Sequence, residues 1–419
     1  YNLWQDAKNP RGLWRRTTLA EYRKPQPAWE TVLDLDALGA AEKENWVWKG
    51  STCFGPAYRR CVLSLSRGGA DAAVLREFDT QAKRFIEAKD GGFVVAEAKS
   101  SIDWIDENTV YVTSDFGPGS MTDSGYPRVV KRWPRGKPIG EAVTVFEAEA
   151  KDVAAIVSVD RTPGFERTLV GRATDFYNSK LWLLQGERQI ALDYPSDASF
   201  SFWRDRVLIQ LRSDWQLGDK TWPRGSLLTA DAAAYLKGER KLTALFTPAA
   251  TRSLEGFTTT HRRVLLSVLD NVAGRVQEWR AEGSKWMLRE VKAPFPGTLG
   301  VQSLHDPLLG AKDPLAEQYL LTYADFLTPD SLMLGSAGVD ERETLKSRPR
   351  FFDSTGMRVE QRFAKSKDGT QVPYFIVWPK DAKADGNNPT LLYGYGGFEV
   401  AQQPWYSGAY GSAWVGRGG

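Results

Sequence analysis

The residues with most chemical promise in this sequence are Gly394-Tyr395-Gly396-Gly397-Phe398, three glycines in four positions around a tyrosine, directly after the apolar run 390–393. Glycine costs backbone entropy, so such a loop needs a reason. One reason is a tight turn with positive φ. The other is a place where backbone N–H groups and one aromatic hydroxyl must approach a ligand closely, as at the oxyanion loop that follows an early strand in α/β-hydrolases. Local chemistry leaves both open.

The remaining reactive side chains are sparse. The sequence holds two histidines, His261 and His305, and two cysteines, Cys53 and Cys61. Four such ligands scattered over the chain build neither a disulfide framework nor a multi-ligand zinc site, so no metal and no cofactor is expected. Each histidine sits at a turn or loop without a nucleophile beside it, and neither is assigned a role. Cys53 and Cys61 flank the turn 54–60 and face one another if that turn joins neighbouring strands; two reduced, buried thiols are expected, as in a cytoplasmic protein. No Gly-x-Ser-x-Gly elbow occurs in the 419 residues, so a hydrolase nucleophile of that kind is not expected in this chain.

What must position these residues is a mostly β framework. The 16 Trp, 15 Tyr and 19 Phe are spread through short β-branched and aromatic runs separated by Gly, Pro, Asp and Asn, the pattern of an all-β protein with many tight turns. The best helical stretch, 230–237, is about two turns long, which suits a loop insertion. Four strand-like segments, 110–115, 207–214, 264–270 and 319–325, share one shape and end in Asp115, Asp214, Asp270 and Asp325; weaker copies end in Asp6, Asp71 and Asp175. The seven aspartates recur on average about every 53 residues, somewhat above the roughly 40 to 50 of a four-stranded propeller blade. The expectation is a seven-bladed β-propeller over residues 1–345. Its aspartates are turn residues that bond nearby backbone N–H groups.

Near residue 345 the character changes. A polar, proline-containing link leads to two alternating segments, 359–365 and 372–378, around Lys367-Asp368-Gly369, a hairpin signal. The turn-rich 385–389 then precedes 390–393, read as a strand buried on both faces. Residues 346–419 are therefore set apart from the propeller as the beginning of an α/β layer whose sheet is incomplete in this chain.

Composition excludes several classes. Charged residues make up 26% and hydrophobic ones 42%, and 55 Lys+Arg against 52 Asp+Glu leave a net charge of only +3. Those are ordinary globular values, with no basic stripe for nucleic acid. Basic clusters at 11–16 and 59–60 read as solvated strand faces. No apolar run nears the roughly 18 residues needed to span a bilayer, so neither a nucleic-acid nor a membrane partner is expected. The chain opens at Tyr1 and closes at Gly418-Gly419 and is read as an interior piece of a longer protein. Its expected compartment is cytoplasmic, with periplasmic or secreted as the alternative.

The segments 362–378 and 389–398 closely resemble the start of the peptidase domain in the prolyl oligopeptidase family of serine peptidases. That resemblance is specific over 350–419 and only architectural over the propeller. It implies a propeller followed by an α/β-hydrolase, and a peptidase that cleaves short peptides after proline through an acyl-enzyme, the propeller restricting access. Basic-residue-specific relatives tend to carry Ser-Tyr where this chain has Gly397-Phe398, so it looks like the prolyl branch. By position, Tyr395 matches the tyrosine whose hydroxyl stabilises the oxyanion, and Phe398 matches the phenylalanine lining the proline pocket. The physics agrees: a phenol donor can be aimed at developing negative charge, and a flat apolar ring suits a pyrrolidine. The family's serine, aspartate and histidine come later than this chain reaches, so the chain alone is expected to be inactive. Alternatives are a propeller binding module with a degenerate peptidase part, or a relative with different peptide specificity.

Overall fold

A computed structural model describes residues 1–283, 285–293, 297–397 and 400–419. Strands dominate it, and seven of the sheets among the described residues follow one another along the chain and form a seven-bladed β-propeller. Blades I to VII occupy residues 2–34, 46–98, 101–147, 154–191, 199–246, 252–291 and 298–347. Two compact units divide these residues. The first is Tyr1–Arg206 with Ala232–Glu239 and Pro307–Leu309; the second is Val207–Asp231, Arg240–Asp306 and Gly310–Gly419.

In the first unit, blade I has three antiparallel strands, blades III and IV have four, and blade II has five. In blade II the strand Ala73–Asp79 pairs on its outer side with both Arg84–Phe85 and Val94–Ala98. The cores lie between blades. Val62, Leu75, Phe93 and Val95 of blade II pack with Ile102, Trp104, Val110, Val112 and Trp133 of blade III. Phe93 meets Trp104 and Trp133 edge-on, at 5.6 and 5.0 Å between centroids. A blade is too thin to bury its own faces, so large rings fill the wedge to the next one. This explains why a middle strand such as Arg60–Arg67 is buried nearly continuously rather than alternately. Each buried ring on this scale contributes on the order of 2–3 kcal/mol relative to exposure.

The seven aspartates fall one to a blade. Asp71, Asp115, Asp175, Asp214, Asp270 and Asp325 follow or end the second strand, and Asp6 follows the first of blade I's three. Blade I's strands therefore correspond to the second, third and fourth of the others. Turn chemistry is visible in the bonds. Asp6 Oδ1 accepts from the N–H groups of Lys8 and Asn9 at 2.9 and 2.8 Å. Asp115 does so from Gly117 at 2.9 Å, Asp175 from Tyr177 at 2.8 Å and Asp325 from Leu327 at 2.7 Å. The Trp4 indole, then the Asn9 N–H, hold the Asp6 carboxyl at about 2.

Two readings change. The thiols expected to be reduced form a disulfide, Cys53–Cys61. Residues 55–59 close a hairpin whose register sets Cys53 directly across from Cys61, so the two sulfurs meet without backbone movement. The short helix at 230–237 is Ala232–Leu236, but the longest helix among the described residues is Leu35–Glu42. Asp34 caps it by accepting the Ala37 N–H at 2.9 Å, and Lys43 ends it in the left-handed region.

Candidate active site

The second unit carries the post-propeller segment and the Gly394 loop. A two-stranded hairpin, Arg358–Lys365 with Gln371–Trp378, follows blade VII. Its turn uses Gly369 at φ +90, and Asp368 Oδ1 accepts the Thr370 N–H at 3.0 Å. Thus the hairpin expected from Lys367-Asp368-Gly369 is present.

Register places this segment at one end of the blades. Thr298 opposes Ala324, and Ser331 opposes both Tyr323 and Ser347, so the Asp325 turn and the exit of the chain share one end of blade VII. Arg252 opposes Asp270 at the corresponding end of blade VI. Contacts to the later residues come from that end. Gln361 Nε2 donates to the Asn271 carbonyl, next to Asp270. Phe326, next to Asp325, meets Phe375 at 5.6 Å between centroids. Thr298 Oγ1 donates to the Pro404 carbonyl, and Gln403 Nε2 to Glu255 at 3.1 Å. The aspartate-turn end of blades VI and VII therefore meets the hairpin and residues 403–404.

Farther along, Phe352 stacks on Tyr406 at 5.2 Å, and the Tyr406 hydroxyl accepts the Phe351 N–H at 2.8 Å. The helix Gly408–Ala413 is capped by Ser407, whose Oγ accepts the Tyr410 N–H at 3.2 Å. It packs so closely on Phe352 that a Cβ at Gly411 would fall 2.0 Å from that ring.

Tyr395 is half exposed, at 52%. A Cβ built on Gly397 would lie 2.9 Å from the Tyr395 hydroxyl, so glycine is required for the phenol to lie against its own loop. The close approach seen here is between the loop and its own phenol. Phe398 lies outside the described residues. The expected strand at 390–393 is not formed: Leu391, Leu392 and Tyr393 are 52%, 94% and 60% exposed and carry no strand pairing. A strand buried on both faces needs neighbours and helix cover, which the described residues do not supply here.

The two histidines are not part of this loop. They lie at the other end of blades VI and VII, where Thr260 N–H donates to Arg263 O across the first turn of blade VI. Their rings meet at 5.3 Å between centroids, and His305 Nδ1 is 2.9 Å from Asp313 Oδ2. Sequence reading missed this pairing, since 44 residues separate the two positions and only blade-to-blade packing joins them. It also missed a second hairpin, Trp215–Leu217 with Lys220–Trp222, signalled only by Gly218-Asp219 between two short aromatic runs.

Comparison with known proteins places these features. Residues 1–348 match the family described as prolyl oligopeptidase, N-terminal beta-propeller domain. An uncharacterized peptidase of Sinorhizobium fredii is 37% identical over 428 residues, covering 100% of this chain and 57% of the relative. A solved post-proline cleaving enzyme from Rickettsia typhi superposes with a TM-score of 0.84 at 30% identity, covering 100% of this chain and 62% of that one. A prolyl endopeptidase of Elizabethkingia miricola is 32% identical over 133 residues, or 32% of this chain and 18% of the relative. The chain spans about three-fifths of the length of the first two of these relatives.

Proposed function

The chain belongs to the prolyl oligopeptidase family, and on that premise we propose that the full-length protein is a serine peptidase that hydrolyses short peptides on the C-terminal side of proline. The observation that carries this reading is the half-exposed Tyr395 phenol lying against Gly397 in its glycine loop, on a segment whose preceding hairpin packs on the aspartate-turn end of blades VI and VII.

The proposed chemistry is acyl transfer. A serine hydroxyl, its proton taken by a histidine that an aspartate orients, attacks the prolyl carbonyl carbon. The carbonyl oxygen becomes an oxyanion that accepts hydrogen bonds from the Tyr395 hydroxyl and a backbone N–H. The C–N bond then breaks as the histidine returns the proton to the leaving amine, and water releases the acyl group by the same steps in reverse roles. The three triad residues are proposed to lie in the portion of the relatives' length that this chain does not span. Phe398 is proposed to line the proline pocket, and the propeller to restrict access to short peptides.

Phe398→Ala in the full-length protein removes apolar contact made with proline before and during reaction. It is expected to raise KM more than it lowers kcat. Steady-state kinetics on a proline-containing chromogenic peptide check this, and an unchanged KM would remove Phe398 from the pocket.

The Cys53–Cys61 disulfide supports the periplasmic or secreted alternative over the cytoplasmic one, because cytosolic thiols are kept reduced. Protein alkylated directly in cells is expected to show both cysteines protected until a reductant is added. Labelling of both cysteines without reductant would return the protein to a reducing compartment.

A further inference from the structure

Blade V differs from its neighbours at its aspartate turn. Between its second strand, Arg206–Gln210, and its third, Leu227–Asp231, it carries the hairpin Trp215–Leu217 with Lys220–Trp222. The base of this insertion is fixed. Leu211 N–H donates to Ser226 O at 2.9 Å, Gly225 N–H to Leu211 O at 2.8 Å, and Arg224 N–H to Asp214 Oδ1 at 2.7 Å. Trp222 is buried, with Lys220 Nζ 3.4 Å from its ring centroid. Gln216, Gly218, Asp219, Lys220 and Thr221 are exposed. A two-stranded hairpin is marginal alone, so the anchored base and the buried tryptophan account for an ordered hairpin with a polar, solvent-facing tip.

Its strands pair, among the described residues, only with each other. Gly218, at φ +59, and Asp219 make a two-residue turn, so Leu217 and Lys220 form the closing hydrogen-bonded pair. Alternation then points the main-chain N–H and C=O groups of Gln216 and Thr221 away from the partner strand, one set on each edge. The insertion leaves blade V at the end corresponding to the turns of blades VI and VII on which the hairpin 358–378 packs.

We propose that the hairpin 215–222 is a docking edge for the peptide substrate, on which an extended stretch N-terminal to the cleaved bond adds as a third strand. Main-chain addition of this kind is tolerant of side chains. That is what a peptidase needs if it specifies proline at one position and little elsewhere. The inference rests on the peptidase reading given above.

The test uses the full-length protein and two substrates, a short blocked chromogenic peptide ending in proline and an internally quenched peptide extended on the N-terminal side of the same proline. Gln216→Pro and Thr221→Pro each delete one outward N–H at an edge position where proline is tolerated. In at least one of them kcat/KM on the extended peptide is expected to fall about five- to tenfold, the scale of one or two net hydrogen bonds, with the short peptide unaffected. An unchanged ratio of the two substrates in both variants overturns the proposal. If a proline variant also loses the short substrate, replacing 215–222 by a Gly-Ser turn provides the same ratio with the hairpin gone. If the unaltered protein cleaves neither peptide, the peptidase reading fails by itself. Anisotropy titration of the labelled extended peptide against intact and hairpin-less protein then decides docking, and equal affinities overturn it.

Discussion

Tyr395→Phe in the full-length protein is expected to lower kcat by about 10²- to 10³-fold, the usual effect of removing one oxyanion donor, and to leave the fold as it is. The ring is half exposed, and its close contact with the Gly397 position involves ring carbons as well as the hydroxyl, so phenylalanine keeps the packing. KM is expected to change much less, because the proposed donor acts on charge that develops only in the transition state. A second variant separates the hydroxyl from the loop that carries it. Gly397→Ala introduces a Cβ within 2.9 Å of the Tyr395 hydroxyl, which must displace the phenol. It is expected to lower kcat in the same direction while retaining the hydroxyl. Both are measured against a proline-containing chromogenic peptide, with circular dichroism as the fold control. Full kcat in Tyr395→Phe would end the oxyanion assignment and with it the main chemical link between this loop and peptide hydrolysis.

How far the sequence alone leads depends on whether a feature is local. The seven aspartates were legible because a β run and the turn residue that ends it are adjacent in the chain, and each proves to fall in its own blade. The hairpin around Lys367-Asp368-Gly369 was legible for the same reason, its strands lying within a residue of expectation. The run 390–393 misled because an apolar run reports only a demand for burial, and meeting it takes partner strands that lie elsewhere. Leu35–Glu42 was missed although Asp34 and Lys43 cap it well, since two turns containing Gly39 carry little periodic signal. For Cys53 and Cys61 the sequence suggested opposition across a turn. Pairing depends on the register, which one residue of slip would undo. The candidate loop, Gly394 to Gly397, was legible as a loop type, and the packing of the preceding hairpin on the turns of blades VI and VII emerged only from the structure.

Those blade-to-blade contacts also carry the largest expected loss of stability. Glu77 is fully buried in blade II, at 0% exposure, where the outer strand is split between Arg84–Phe85 and Val94–Ala98. Its carboxylate fills the break: Oε2 accepts the Phe93 N–H at 2.9 Å. Arg135, just past the third strand of blade III, donates to it from both terminal guanidinium nitrogens, at 2.8 and 3.0 Å, and Arg60 lies 3.6 Å away. Arg135 in turn lies over the Phe93 ring at 4.5 Å, so one carboxylate fixes the strand break, the aromatic wedge and the neighbouring blade together. Glu77→Gln leaves two mostly buried guanidinium groups without their anion and turns an amide N–H₂ toward donors. Breaking a buried pair by removing one partner costs about 3–5 kcal/mol, far above the roughly 0–1 kcal/mol of a surface ion pair such as Arg348 with Asp330. Urea unfolding followed by tryptophan fluorescence would show the midpoint falling accordingly for Glu77→Gln, with Asp330→Asn close to unchanged. In Glu77→Leu combined with Arg135→Leu part of the loss should return, since apolar replacement of both partners removes the uncompensated charge; Arg60 remains, so recovery is incomplete. A Glu77→Gln protein within about 0.5 kcal/mol of the original, the range of an ordinary surface substitution, would mean that the cluster does not hold blades II and III together.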